Sequence, residues 1–184
     1  SNPELRAKMQ MIEEHTQNFD LSQAKLVNGT IVIPVVVNVI YKTAAENISA
    51  TQIQSQIDVL NKDFNAQNAD FSNVPSIFSG VKANVGVRFE LDQIIRKNVN
   101  KTSWGTEKLK KKSSGILPTS PTTKLNLWVC TIGNGILGYA QFPGGSSSTD
   151  GVVIDSRYIG TTGTATYPFN LGRTATHEVG HWMN

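Results

Sequence analysis

The chain has 184 residues, 39% of them hydrophobic and 17% charged, with a formal net charge of +3. That is enough for one domain with a real core, while no run approaches the roughly 18 apolar residues of a membrane span. The positive charge is small and diffuse, which argues against a nucleic-acid partner, and the single cysteine, Cys130, excludes an internal disulfide and a cysteine-based zinc knuckle.

Pro3 to Glu14 predicts a weakly amphipathic helix, with Leu5, Met9 and Ile12 at helical spacing. Residues 1–28 read as an N-terminal arm or the remnant of a propeptide, ahead of a domain over 29–184. His15, in this arm, reads as a surface residue. Thr30 to Tyr41 is almost continuously β-branched and apolar, which predicts a strand covered on both faces. Pro34 removes one ladder donor there, so one side of the strand is expected to be unpaired near it. Ser49 and Gln52 form an S-x-x-Q capping box, and Ile53, Ile57, Leu60 and Phe64 give the apolar stripe of a helix over Thr51 to Asn65. Val85, Val87, Phe89 and Leu91 alternate with polar residues, as in a half-buried strand. Strand, helix and strand then make a βαβ crossover.

Asn98 to Thr123 is expected to be a long loop, with the run Lys108-Leu109-Lys110-Lys111-Lys112 solvated. Leu125, Leu127 and Val129 mark another strand, in which Cys130 is a buried, inert thiol. Gly135 to Phe142 reads as a turn and a short strand, Pro143 to Asp150 as a flexible loop, and Gly151 to Asp155 as a further strand. Asp150 and Asp155 are expected to serve as turn and cap residues. A Gly/Thr-rich loop over Gly160 to Tyr167 leads into the last segment.

That segment contains His177-Glu178-Val179-Gly180-His181, an H-E-x-x-H pattern. On a helix the two histidines stand one above the other and can grip one metal ion. Glu178 flanks that ion and can take a proton from the water it activates. Ala175, Val179, Trp182 and Met183 fall on the opposite side and can enter a core. Asn170 is the expected N-cap.

The stretch L-G-R-T-A-T-H-E-V-G-H-W-M-N, Leu171 to Asn184, resembles the active-site helix of the pappalysin family of metzincin zinc peptidases. I-P-V-V-V-N-V-I-Y, Q-I-Q-S-Q-I-D-V-L-N-K-D-F-N and L-W-V-C…G-I-L-G-Y-A-Q-F-P-G-G are similar to segments of that family in the same order. Asn184 stands where the metzincin motif usually has glycine; asparagine is the next best residue for a left-handed turn. The third histidine of the motif would fall three residues beyond Asn184.

The resemblance implies an α+β fold, the N-terminal subdomain of a metzincin. It would have a twisted mixed sheet of about five strands, a backing helix and an active-site helix. It implies a secreted zinc endopeptidase with one catalytic Zn2+ held by His177 and His181, Glu178 as general base, and a protein or peptide substrate. An edge strand would border the cleft; Leu137 to Phe142 is its best match, with Gly138, Tyr139 and Ala140 as substrate-binding residues. The chain alone is expected to be inactive, because it offers two of the three protein ligands. The alternatives are a thermolysin-like metallopeptidase with a downstream glutamate ligand, and a non-catalytic peptide-binding or structural domain.

Overall fold

The structure is a computed structural model that describes residues 3–19, 26–27, 29–105 and 107–183. The elements run α1 (Pro3–Asn18), β1 (Leu26–Val27), β2 (Thr30–Tyr41), α2 (Ala50–Phe64), β3 (Val87–Asn98), β4 (Leu125–Cys130), β5 (Gly138–Ala140), β6 (Val152–Asp155) and α3 (Arg173–Met183). The fold is α+β, with one mixed sheet of six strands among the described residues. Its path is β1-β2-β4-β6-β5, and β3 pairs with the other edge of β2. β2, β3, β4 and β6 run parallel; β1 and β5 are antiparallel to their neighbours.

β2 is the spine, as its β-branched run predicts. Its residues 35–40 are buried on both faces. On the edge shared with β4, β1 pairs as far as Ile31 and the β4 ladder begins at Val35. Pro34 falls in the gap, where a missing N–H costs no ladder bond. On the other edge the register slips between Val35 and Val36, so Asp92 of β3 is the extra residue of a bulge.

One face of the sheet is covered by α2 and α3. Ile53, Ile57 and Leu60 of α2 meet Val35, Val37 and Val39 of β2 and Leu125, Leu127 and Val129 of β4. Ala175 and Val179 of α3 complete this core, with Trp182 and Met183 at its margin. The other face carries Ile40, Trp128, Cys130 and Val153 and is covered by the long loop after β3, through Trp104, Leu109 and Ile116. Cys130 is buried there, and burial raises its thiol pKa, as expected of an inert side chain.

Four expectations are corrected. Val85 is exposed and lies outside β3, because Gly86 turns the chain at a φ of 70° just before the strand starts. β3 also runs on to Asn98, since its whole length finds a partner in β2. The lysine run is not uniformly solvated: the Lys110 side chain is only 1% exposed. Finally, the capping box is half formed. Ser49 Oγ accepts from Gln52 N at 3.1 Å, but the Gln52 side chain is used elsewhere.

Candidate metal centre

Gln52 and Gln56 are buried on the same helix as the apolar stripe, and they hold the loop that delivers α3. Gln52 Nε2 donates to Ile159 O at 3.0 Å, and Thr164 N donates back to Gln52 Oε1 at 3.1 Å. Gln56 Nε2 donates to Gly172 O at 3.0 Å and its Oε1 accepts from Gly160 N at 2.7 Å. The capping pattern points Gln52 elsewhere and gives no role to Gln56; the signal for both is two amides one turn apart beside a stripe destined for a core. Gly172 stands at a φ of 73°, and a Cβ there would come within 3.1 Å of the Val59 methyls. Helix α3 therefore begins at Arg173, and Asn170 is not its N-cap: the tight Gly172 turn against α2 sets the start. Arg173 then pairs with Asp63 at 3.1 Å and Asp70 at 2.6 Å, and Thr176 Oγ1 donates to Asp63 at 2.6 Å.

With its start fixed and Ala175 and Val179 in the core, α3 turns His177 and His181 away from the sheet. Their Nε2 atoms lie 3.1 Å apart. Two nitrogens about 2.0–2.1 Å from a tetrahedral zinc stand about 3.3 Å from one another, so this pair fits two corners of such a site. The His181 ring also lies 4.9 Å from that of Phe142. Among the described residues no group of three His, Cys, Asp or Glu side chains could hold a metal ion. Asp155 is fully buried, accepting from Ile132 N at 2.8 Å and Arg157 Nε at 2.9 Å. Asp150 accepts from Trp182 Nε1 at 3.2 Å. Both aspartates are structural, as expected. His15 is exposed on α1, and Asn184 lies outside the described residues.

Glu178 is half-buried, and desolvation raises its pKa despite the opposing pull of His177 and His181. It lies against β5: a Cβ at Gly138 would stand 3.1 Å from Glu178 Cγ and 2.9 Å from Val153 O. β5 is an edge strand of the sheet among the described residues, bonded to β6 alone. Asp155 N donates to Leu137 O at 2.9 Å and Gln141 N to Gly151 O at 3.1 Å. In an antiparallel ladder the bonded residues alternate, so Tyr139 turns its amide groups towards β6, whereas those of Gly138 and Ala140 face outward. The side chain of Ala140 joins the helical-face core, and that of Tyr139 joins the opposite face. The arrangement is a pair of converging imidazoles, a desolvated carboxylate beside them, and an open strand edge along one side.

The comparisons with known proteins find similarity to extracellular metalloproteases and to mirolysin. No protein-family model matches the chain. Its fold matches that of mature mirolysin from Tannerella forsythia, solved in complex with a cleaved peptide, with a TM-score of 0.80 and 42% identity, over 84% of this chain and 63% of that one. A promirolysin mutant from the same organism matches with a TM-score of 0.87 and 36% identity, over 100% of this chain and 64% of that one. In sequence, the chain is similar to an extracellular metalloprotease of Colletotrichum graminicola, 30% identical over 85% of this chain and 52% of that protein. A relative of the same description from Pyricularia oryzae is 33% identical over 76% of this chain and 44% of its own length. The chain thus spans about half the length of these curated relatives.

Proposed function

We propose that the chain forms the first part of the catalytic domain of a secreted zinc endopeptidase, similar to the pappalysins among metzincins. One observation carries this reading: two histidine Nε2 atoms 3.1 Å apart on the exposed side of a helix whose glutamate abuts an open strand edge. The printed names of the relatives support the peptidase class and an extracellular setting. Residues 29–184 correspond to the catalytic part, and residues 1–28 to an arm or propeptide remnant. The likeness to the pro form over the whole chain, against 84% for the mature form, supports that division.

His177 and His181 hold the zinc, with a third protein ligand from outside the described residues. Zinc, when bound, polarises the scissile carbonyl and acidifies the attacking water. Glu178 takes the proton of that water and returns it to the leaving amine. An extended peptide lies along β5, bonded to the outward amide groups of Gly138 and Ala140, while Tyr139 supports the strand from behind.

With two ligands, the 184-residue chain alone is expected to bind zinc weakly and hydrolyse nothing. The test is casein hydrolysis and zinc per mole, for this chain beside a version extended to the length of its relatives. Hydrolysis by the longer protein should fall at least about a hundredfold in Glu178→Ala. Chelator-sensitive hydrolysis by the 184-residue chain would overturn the missing-ligand reading. An inert longer protein with zinc bound would overturn the peptidase reading.

A further inference from the structure

Behind the open strand lies a buried charge that the proposed chemistry does not use. Lys110 is the one lysine of its run that turns inward, and its side chain is 1% exposed. Its ammonium sits 2.8 Å from Glu107 Oε2 and donates to Thr149 O at 2.6 Å. It also lies 5.1 Å from the centre of the Trp128 ring and 5.7 Å from that of Tyr139. The Tyr139 hydroxyl is buried as well, without a hydrogen-bond partner among the described residues. A buried ammonium is costly unless it is paired and hydrogen-bonded. Here the pairing is with Glu107, and the hydrogen bond goes to Thr149 in the loop after β5.

Thr149 belongs to the loop that leaves β5 and returns as β6. Its hydroxyl donates to Gln141 Oε1 at 2.6 Å, next to the end of β5. The following residue, Asp150, accepts from Trp182, which adjoins His181 in α3. Lys110 therefore touches β5 through the Tyr139 ring and the β5–β6 loop through Thr149, and that loop in turn grips the histidine helix. β5 itself has three residues and one bonded neighbour, so little else in the sheet fixes its position.

We propose that Lys110, paired with Glu107, is a positioning residue: a buried latch that fixes β5 and its following loop relative to α3, and so sets the gap in which a peptide would lie. The functional half of this inference rests on the peptidase reading; the latch does not.

The test uses the paired variant Glu107→Gln/Lys110→Met, which removes the donor to Thr149 while keeping the buried site neutral. Amide hydrogen exchange is followed in the 184-residue chain, and affinity for a fluorescent extended peptide is measured, with zinc, in a version extended to the length of its relatives. The latch predicts that amides of residues 138–150 exchange about tenfold faster or more, while those of β2 and β4 keep their wild-type rates. Peptide affinity should fall several-fold, and Lys110→Arg, which keeps a charged donor, should recover part of both. Should the paired variant fail to fold, Glu107→Gln alone carries the exchange measurement, with a smaller change expected in the same residues. Unchanged exchange in 138–150, or equal acceleration throughout the sheet, would overturn the latch. An extended wild-type protein that binds no peptide would count against the peptidase reading, and the exchange pattern alone would then decide the latch.

Discussion

The two faces of the sheet are built on different principles. On the helical face, Val35, Val37, Val39, Leu125, Leu127 and Val129 meet the apolar sides of α2 and α3, and the buried amides there, Gln52 and Gln56, turn to the loop that precedes α3. On the opposite face a loop takes the place of helices, and polar groups enter the interior. Asn126 accepts from Thr119 N at 2.8 Å and donates to Thr119 O at 2.9 Å, Trp128 Nε1 donates to Ile116 O at 3.0 Å, and Lys110 reaches Thr149 O. A helix satisfies its own backbone, so it needs only an apolar side to cover a sheet. A loop does not, and side chains of the sheet must supply the missing partners. The helical face carries the candidate metal centre; the loop-covered face holds the strand that borders it.

That contrast predicts where substitutions hurt. Trp128→Ala should be the most damaging, because it empties the largest buried side chain of the loop-covered face and frees Ile116 O. A loss of about 3–5 kcal/mol is expected from the urea midpoint, and a value near 1 would mean the loop barely packs there. Asn126→Leu keeps the branching of the side chain but orphans both Thr119 backbone groups, so about 2 kcal/mol should be lost. If it is neutral, water reaches that loop and the polar interior is not sealed. Ile57→Val on the helical face removes one methylene from a purely apolar contact, and about 0.5–1.5 kcal/mol is expected in the same titration.

The smallest effect is one of pH. Hydrogen bonds from Arg173 and Asn68 hold Asp70 down from 3.8 to about 2. A depressed carboxylate stabilises the fold above its unfolded pKa and loses that contribution as pH falls towards the folded value. The gap in urea midpoint between wild type and Asp70→Asn should therefore be present at pH 5 and close between pH 4 and pH 2. Because the pair is exposed the gap should be small, and a gap that persisted at pH 2 would remove Asp70 from the tether on α3.

The same contrast explains what could be read in the sequence. β2 announced itself by its β-branched run, α2 by its stripe, and α3 by histidines one turn apart beside an apolar face. All of these are local periodicities. Lys110 was misread because its burial depends on the carbonyl of Thr149, 39 residues away, which no local pattern reveals. Gln52 looked like half of a capping box, and its amide instead found a loop 107 residues downstream. At the site, the triplet Gly138, Tyr139 and Ala140 was legible as an edge strand beside the histidine helix. Which of its amide groups face outward depends on register with β6, and a three-residue strand carries no sequence signal for that.

The central claim, that His177 and His181 form a metal grip while Glu178 stands beside it without ligating, is tested most directly by zinc competition against a chromophoric chelator. The measurement compares wild type with His177→Ala, His181→Ala and Glu178→Ala. Glu178→Ala is expected to keep the wild-type zinc affinity, while each histidine substitution lowers it at least about tenfold. Loss of zinc in Glu178→Ala, or wild-type affinity in either histidine variant, would contradict the claim.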